Sequence, residues 1–135
     1  MSFRVRYPAT IEILALTSDD RFFSSLLYVT TQYGWTVHLA KSIDRALEIL
    51  KRRNIAVVVY DSCLLRVDWA GALVCLSADA CVVLAAQEAD EGTWQRAIAC
   101  GAYDVACRTG GAAELAVTLR FACQLIVCRK WTYPD

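Results

Sequence analysis

Residues 55–61 read Ile-Ala-Val-Val-Val-Tyr-Asp, a run of six apolar side chains that ends on one carboxylate. The run does not alternate between apolar and polar residues, which is typical of a strand covered on both faces and therefore of a central strand in a parallel sheet. We predict that this strand lies in the middle of the molecule and carries Asp61 at its carboxyl end.

Four other short apolar runs surround this one along the chain, and a helical pattern follows each of the five. The runs cover residues 11–16, 35–40, 81–86 and 103–107. Thr17 or Ser18 is expected to cap the first helix and Ser42 the second, which would end near Asn54. The later helices are expected at about 69–76 and 93–100, and from Gly110-Gly111 to about 128.

Five alternations of strand and helix predict an α/β fold in which helices cover both faces of a parallel sheet. One domain fills the 135 residues, with a core at about 11–128. Functional crevices in such sheets lie at the carboxyl ends of the strands. Function is therefore expected at Thr17-Ser18, residues 61–63, Ala85-Ala86 and Cys107-Arg108.

Charge and hydropathy exclude several classes of partner. Fourteen basic residues balance fourteen acidic ones, so no net field attracts nucleic acid or anionic lipid. The first ten residues lack the apolar stretch of a signal peptide, and no run approaches the ~20 apolar residues of a membrane helix. We expect a cytoplasmic protein that binds neither nucleic acid nor membrane.

The cysteines do not form a recognisable framework. There are seven, at positions 63, 75, 81, 100, 107, 123 and 128, and none forms a Cys-x-x-Cys pair. With a single histidine, His38, the sequence does not predict a zinc site, and an odd number of cysteines argues against a disulfide scaffold. Most are expected to be small buried hydrophobic residues in a reducing compartment.

Asp61 is the most suggestive polar residue. A carboxylate at the end of a central strand can act as a phosphoryl acceptor, a metal ligand or a general base, or it can simply accept hydrogen bonds in a loop or cap a helix. Its position alone does not choose between these roles.

The order of elements, Asp61 after the third strand, Gly101-Ala102 before the fifth and Phe22 in the first helix together resemble the response-regulator receiver family. The resemblance covers about residues 11–128. It implies a flavodoxin-like (βα)5 domain with strand order 2-1-3-4-5. It also implies that Asp61 corresponds to the aspartate that accepts a phosphoryl group from a histidine kinase with the help of magnesium.

Other positions depart from the family pattern. The acidic pair falls on Thr17 and Ser18, the hydroxyl residue after the fourth strand on Ala85, the aromatic switch on Val105 and the lysine on Arg108. A one-residue slip would bring Asp19 into the pocket and restore one carboxylate. Because magnesium requires hard oxygen ligands, we expect weak or no magnesium binding and no other cofactor. We therefore predict a pseudo-receiver, which is an interaction domain and not an enzyme.

Three alternatives remain open. The first is a functional receiver that accepts a phosphoryl group on Asp61 through a rearranged pocket. The second, a flavodoxin-like cofactor binder, would need a glycine-rich phosphate loop, which residues 17–21 lack. The third, a redox sensor, would use Cys63 or Cys107, and Arg108 next to Cys107 would favour the thiolate.

The last helix suggests an interface. Leu115, Leu119, Ala122 and Ile126 form a stripe that should face the sheet, while Val117, Phe121, Leu125 and Cys128 form a second. Trp94 and Tyr103 would add aromatic anchors. The family resemblance points to the same surface, formed by the fourth helix, fifth strand and fifth helix. We expect a homodimer or another protein partner to bind there.

Overall fold

The computed structural model describes residues 11–64 and 68–132, with side chains up to residue 125. The strands are β1 Glu12–Leu16, β2 Thr36–Ala40, β3 Val57–Asp61, β4 Cys81–Ala86 and β5 Asp104–Cys107. The helices are α1 Asp20–Gln32, α2 Ile43–Arg52, α3 Trp69–Ser77, α4 Glu91–Ala99 and α5 Ala112–Thr132.

The sheet has the predicted topology. Its strands are all parallel and lie in the order β2-β1-β3-β4-β5, so β3 is central. All five residues of β3 are buried, because helices cover both faces of the sheet. The prediction of a central strand from the unbroken apolar run at 55–60 is confirmed.

Alternate strand residues build two separate cores. Ile13, Ala15, Val57 and Val59 pack against α1 and α5 on one face of the sheet. The residues that alternate with these point to the other face of the sheet and pack against α2, α3 and α4. They are Leu14, Leu16, Val58 and Tyr60. The strand order reverses between β1 and β3, and the carboxyl ends of these two strands carry Thr17 and Asp61.

Several helix boundaries differ from the prediction, and α5 runs to Thr132 although it was expected to end near residue 128. Asp19, not Thr17 or Ser18, caps α1, since its Oδ1 accepts hydrogen bonds from the backbone N–H of Arg21 and of Phe22, at 2.9 and 3.2 Å. Helix α4 starts two residues early because Asp90 Oδ1 accepts from Thr93 N at 2.7 Å. Helix α2 ends at Arg52, and its predicted cap, Ser42, is confirmed.

Helix α5 buries the predicted stripe. Leu115, Leu119 and Ala122 are buried, whereas Val117 and Phe121 are exposed. The side chains of Ile126 and Cys128, which were assigned to the two stripes, lie outside the described residues. Within the described part of the chain, no helix is long and apolar enough to cross a membrane.

Candidate functional site

Three side chains from three different strand ends meet at the carboxyl edge of the sheet. Thr17 follows β1, Asp61 ends β3 and Arg108 follows β5. Parallel strands bring their carboxyl ends to one edge, so residues separated by up to 91 positions in sequence become neighbours in space. All three belong to the positions that the sequence selected.

Asp61 is buried, and both of its carboxylate oxygens have partners. Oδ2 accepts a hydrogen bond from the Thr17 hydroxyl at 2.7 Å and another from Arg108 Nη2 at 3.2 Å. Oδ1 accepts from Cys63 N at 3.0 Å. Arg108 Nε lies 2.7 Å from Oδ1, a distance that makes an ion pair, although the N–H is not aligned as a hydrogen bond. The carboxylate is thus satisfied within the protein.

Arg108 joins two carboxylates. In addition to Asp61, its Nη2 donates to Asp19 Oδ2 at 2.5 Å, and its Nη1 donates to Gln87 Oε1 at 3.4 Å. The guanidinium also lies over the Phe22 ring, 5.4 Å from the ring centroid, which adds a cation–π contact. One fixed cation therefore lies between the two acidic groups of the pocket.

Thr17, where the family resemblance implies a carboxylate, links Asp61 to Asp19 by hydrogen bonds. Its hydroxyl donates to Asp61 and accepts from Asp19 N at 3.0 Å. The residue is 1% exposed, and its hydroxyl bonds Asp61 and the N–H of Asp19, which precedes the first turn of α1. Asp19 takes the capping role instead and places its second oxygen against Arg108.

The charges of the pocket shift two pKa values. The hydrogen bond from Arg108, followed by those from the backbone at the α1 cap, lowers the pKa of Asp19 below its usual 3.8. Burial alone would lower the pKa of Arg108, but the hydrogen bond to Asp19 and the charge of Asp61 outweigh it and raise that pKa. Both shifts favour the ionised pair.

The remaining predicted positions make no polar contact with Asp61. Ser18 is exposed. Ala85 lies directly opposite Asp61 in the β3–β4 pairing but has no side-chain polar atom, and only its backbone oxygen accepts from Ser62 N at 2.9 Å. Val105 packs in the core on the α2–α3–α4 face of the sheet.

Gln87 was not predicted to belong to the site. It follows β4 directly, so it lies at the carboxyl end of a strand, where functional residues are expected. Asp19 was foreseen only as the result of a one-residue slip. In the structure, Asp19 caps α1 with one carboxylate oxygen and accepts from Arg108 with the other.

The two carboxylates of the pocket are paired with a cation of the protein itself. Magnesium requires near-octahedral oxygen ligation, and in this structure Asp61 and Asp19 both bind the Arg108 guanidinium. No group of three or more His, Cys, Asp or Glu side chains among the described residues is arranged to hold a metal ion. A divalent cation at Asp61 would have to displace Arg108 and bear the repulsion of its charge.

The predicted interface residues lie on both sides of the edge strand β5. Trp94, Val117 and Phe121 are exposed, and the Trp94 indole donates from Nε1 to Asp104 Oδ1 at 3.3 Å. Tyr103 and Leu125 are half-buried and line a shallow cleft beside Gly101. Of the five predicted interface residues, three are therefore exposed and two are half-buried.

Comparisons with solved structures agree on the fold. The signal receiver domain of a putative LuxO repressor protein from Vibrio parahaemolyticus superposes with a TM-score of 0.82 at 11% identity, covering 93% of this chain and 99% of that one. The receiver domain of an HD domain-containing protein from Pseudomonas fluorescens gives 0.75 at 22% identity, covering 87% and 97%. A response regulator from Thermotoga maritima gives 0.76 at 16% identity, covering 85% and 98%.

These likenesses show that the chain has the fold of response-regulator receiver domains. No protein-family model matches the sequence, and no curated protein is significantly similar to it.

Proposed function

We propose that this chain is a pseudo-receiver, a signalling domain in which Arg108 replaces the divalent cation and Asp61 is not phosphorylated in a magnesium-dependent reaction. It acts through protein–protein contacts in the cytoplasm and has no enzyme activity of its own. The observation that carries the proposal is the double contact of Arg108 with Asp61 and Asp19.

The hydrogen bonds of Asp61 support the proposal that it does not accept a phosphoryl group. A phosphoryl acceptor needs a free carboxylate oxygen and an open line of attack, but both oxygens of Asp61 bind donors from Thr17, Cys63 and Arg108. Only 2% of the Asp61 side chain is exposed. Phosphorylation would require the pocket to open first.

The net charge of the pocket also supports the proposal that Asp61 is not phosphorylated. Two carboxylates and one guanidinium leave a net charge of −1, whereas phosphoryl transfer develops negative charge that a metal ion must neutralise. Arginine is a planar fork that is matched to carboxylates, so it holds this geometry more firmly than a lysine would. Ala85 offers no hydroxyl to a phosphoryl oxygen.

The test is labelling with a small phosphodonor, acetyl phosphate, in millimolar magnesium, read by intact mass, with a parallel magnesium titration followed by tryptophan fluorescence. We expect no added phosphoryl group and no saturable fluorescence change. A mass gain or a saturable response that disappears in Asp61→Asn would establish the functional receiver instead.

A restored pocket provides the positive control. A variant carrying Thr17→Asp, Ser18→Asp and Arg108→Lys returns the acidic pair and the compact ammonium implied by the family resemblance. We expect magnesium to bind this variant and not the wild-type chain. A variant that folds but still does not bind would show that Arg108 is not what keeps the cation out.

A further inference from the structure

A cavity of about 700 Å³ lies where α2 meets strands β1 and β2. Among the described residues that line it are three guanidinium groups, from Arg45, Arg52 and Arg53, the imidazole of His38 and one carboxylate, that of Glu12. Glu12 begins β1, whereas the Asp61 pocket lies at the other end of that strand. The proposed function makes no use of this cavity, and the charges that line it are mainly positive.

The Glu12 carboxylate is already paired with cationic or hydrogen-bonding groups. Its Oε1 lies 2.8 Å from His38 Nε2 and accepts from Arg53 Nη1 at 3.3 Å. The hydrogen bond with His38 and, to a smaller extent, that with Arg53 lower the pKa of Glu12 in spite of burial. This carboxylate therefore stays ionised and paired, and it offsets Arg53 alone.

The other two guanidinium groups share a single carboxylate on α2. Arg45 Nη1 lies 3.1 Å from Glu48 Oε2, and Arg52 Nη2 lies 3.3 Å from Glu48 Oε1. All three side chains are 44% exposed or more, and such exposed pairs contribute little to stability. Another anion that reaches the same place can therefore exchange with Glu48.

The position of Arg45 is not explained by the helix dipole. A cation in the last turn of a helix is favourable, which accounts for Arg52, but the first turn favours anions. Arg45 lies in that first turn, two turns before Arg52 and on the same face of α2. The two guanidinium groups thus approach one anion position from both ends of the helix.

We propose that this cavity binds a small phosphate monoester of about nucleotide size. Arg45 and Arg52 hold the phosphate in the place that the Glu48 carboxylate now takes, since a guanidinium fork matches phosphate oxygens in pairs. Leu39 and Ile49, which are half-buried in the lining, cover the apolar part of the ligand. The volume suits such a molecule, because small-molecule sites measure roughly 300–1,000 Å³.

The test is isothermal titration of the 135-residue chain with three probes at low ionic strength: adenosine 5′-monophosphate, adenosine and inorganic phosphate. We expect saturable binding of the nucleotide at one site, weaker binding of inorganic phosphate and no saturable binding of adenosine. Adenosine that binds as well as its monophosphate would overturn the role of the arginines. Equal affinity for inorganic phosphate and the nucleotide would overturn the role of the aliphatic side chains, and no binding of the nucleotide would overturn the site.

Four variants locate the binding, and all of them change exposed or half-exposed side chains that circular dichroism can show to leave the fold intact. Arg45→Gln and Arg52→Gln should each weaken nucleotide binding several-fold. Glu48→Gln should strengthen it several-fold, because it removes the carboxylate that competes for both guanidinium groups. The matched control is Lys51→Gln, which removes one positive charge from the same helix outside the cavity lining and should leave the affinity unchanged.

The opposite signs expected at Glu48 and at the two arginines distinguish a built site from general charge attraction. If Lys51→Gln weakens binding as much as Arg52→Gln does, the attraction is not specific and the proposal is wrong. If Glu48→Gln leaves the affinity unchanged, the phosphate does not take the place of that carboxylate, and the assigned geometry is overturned.

Discussion

The ion pair between Arg108 and Asp61 is nearly removed from water, since only 14% and 2% of the two side chains are exposed. Removing one partner of such a pair leaves a buried charge that nothing neutralises. Thr17 and Cys63 N would still donate to Asp61, but neither carries a charge. The stability of the pocket therefore depends on the arginine.

We predict that Arg108→Leu lowers the free energy of unfolding by roughly 3–5 kcal/mol at neutral pH. Urea denaturation followed by circular dichroism measures this loss. The matched control is Arg45→Leu, which removes an exposed pair with Glu48 and should cost at most about 1 kcal/mol. Adding Asp61→Leu to Arg108→Leu should recover much of the loss. Equal costs for the two single variants would show that Arg108 does not hold Asp61.

The Asp19 carboxylate should make stability depend on pH in acid. Its pKa in the folded chain lies below 3.8. The stabilisation is therefore complete above that value and is lost as pH falls through the lower folded pKa. We predict that Asp19→Asn flattens the fall of the unfolding free energy as pH drops from 3.8 toward the lower folded pKa.

Asparagine suits this experiment because it caps helices as well as aspartate does, so α1 should keep its start. Urea titrations at several pH values give the slopes. In an Arg108→Leu background the effect of Asp19→Asn on these slopes should shrink, since Arg108 supplies the largest part of the shift. An effect of the same size in both backgrounds would assign it to the cap alone.

At the level of the elements, Gly101 shapes the connection from α4 to β5. Its φ is +104°, and a Cβ added there would lie 2.7 Å from the Ser77 Cβ at the end of α3. Two features therefore require glycine at this position: the positive φ of the backbone and the close approach of Ser77 on α3.

We predict that Gly101→Ala destabilises the chain more than Gly34→Ala does. Gly34 has φ +70° but no atom within 4 Å of an added Cβ, so its cost is backbone strain alone, about 1–2 kcal/mol. Overpacking against Ser77 should add roughly 1–3 kcal/mol at Gly101. Thermal unfolding followed by circular dichroism compares the two variants, and equal melting temperatures would contradict the clash.

The elements were predictable where burial alone defines them. β4 has the predicted bounds, and β3 begins two residues later than the predicted run, at Val57, and ends at Asp61. Helix starts were less predictable. Both Thr17 and Asp19 have side chains that can cap α1, but the Thr17 hydroxyl bonds the distant Asp61 and Asp19 caps the helix. The sequence around α1 does not reveal the hydrogen bond between Thr17 and Asp61, because the two residues are 44 positions apart.

The location of the pocket was predictable, but its hydrogen bonds and ion pairs were not. Parallel strands fix where Thr17, Asp61 and Arg108 lie, so the sequence brought them to one edge. A long arginine side chain can take many rotamers, and its choice of Asp61 and Asp19 together depends on the α1 cap. That choice places the Arg108 guanidinium between two carboxylates.

At the scale of the whole molecule, the surface around β5 is the best candidate for assembly. Val117 and Phe121 stand one turn apart on the outer side of α5, and Trp94 stands across β5 on α4. Full burial of each large apolar side chain is worth roughly 1.5–3 kcal/mol. Pairing two copies about a two-fold axis would bury both sets at once, and such isologous dimers are the commonest oligomers.

We predict that the wild-type chain forms a homodimer at high micromolar concentration and that Phe121→Glu makes it monomeric while leaving the fold intact. The fold should survive because Leu115, Leu119 and Ala122 still hold α5 on the sheet. Tyr28→Glu is the matched control, since Tyr28 is an aromatic residue of similar exposure on α1, away from β5, and its replacement should leave the dimer unchanged. Light scattering over a range of concentrations measures the mass, and circular dichroism verifies the fold. If the wild-type chain stays monomeric throughout, the homodimer is wrong and the alternative of a different protein partner remains. If both variants dissociate the dimer, the interface extends to α1 and is not confined to α4, β5 and α5.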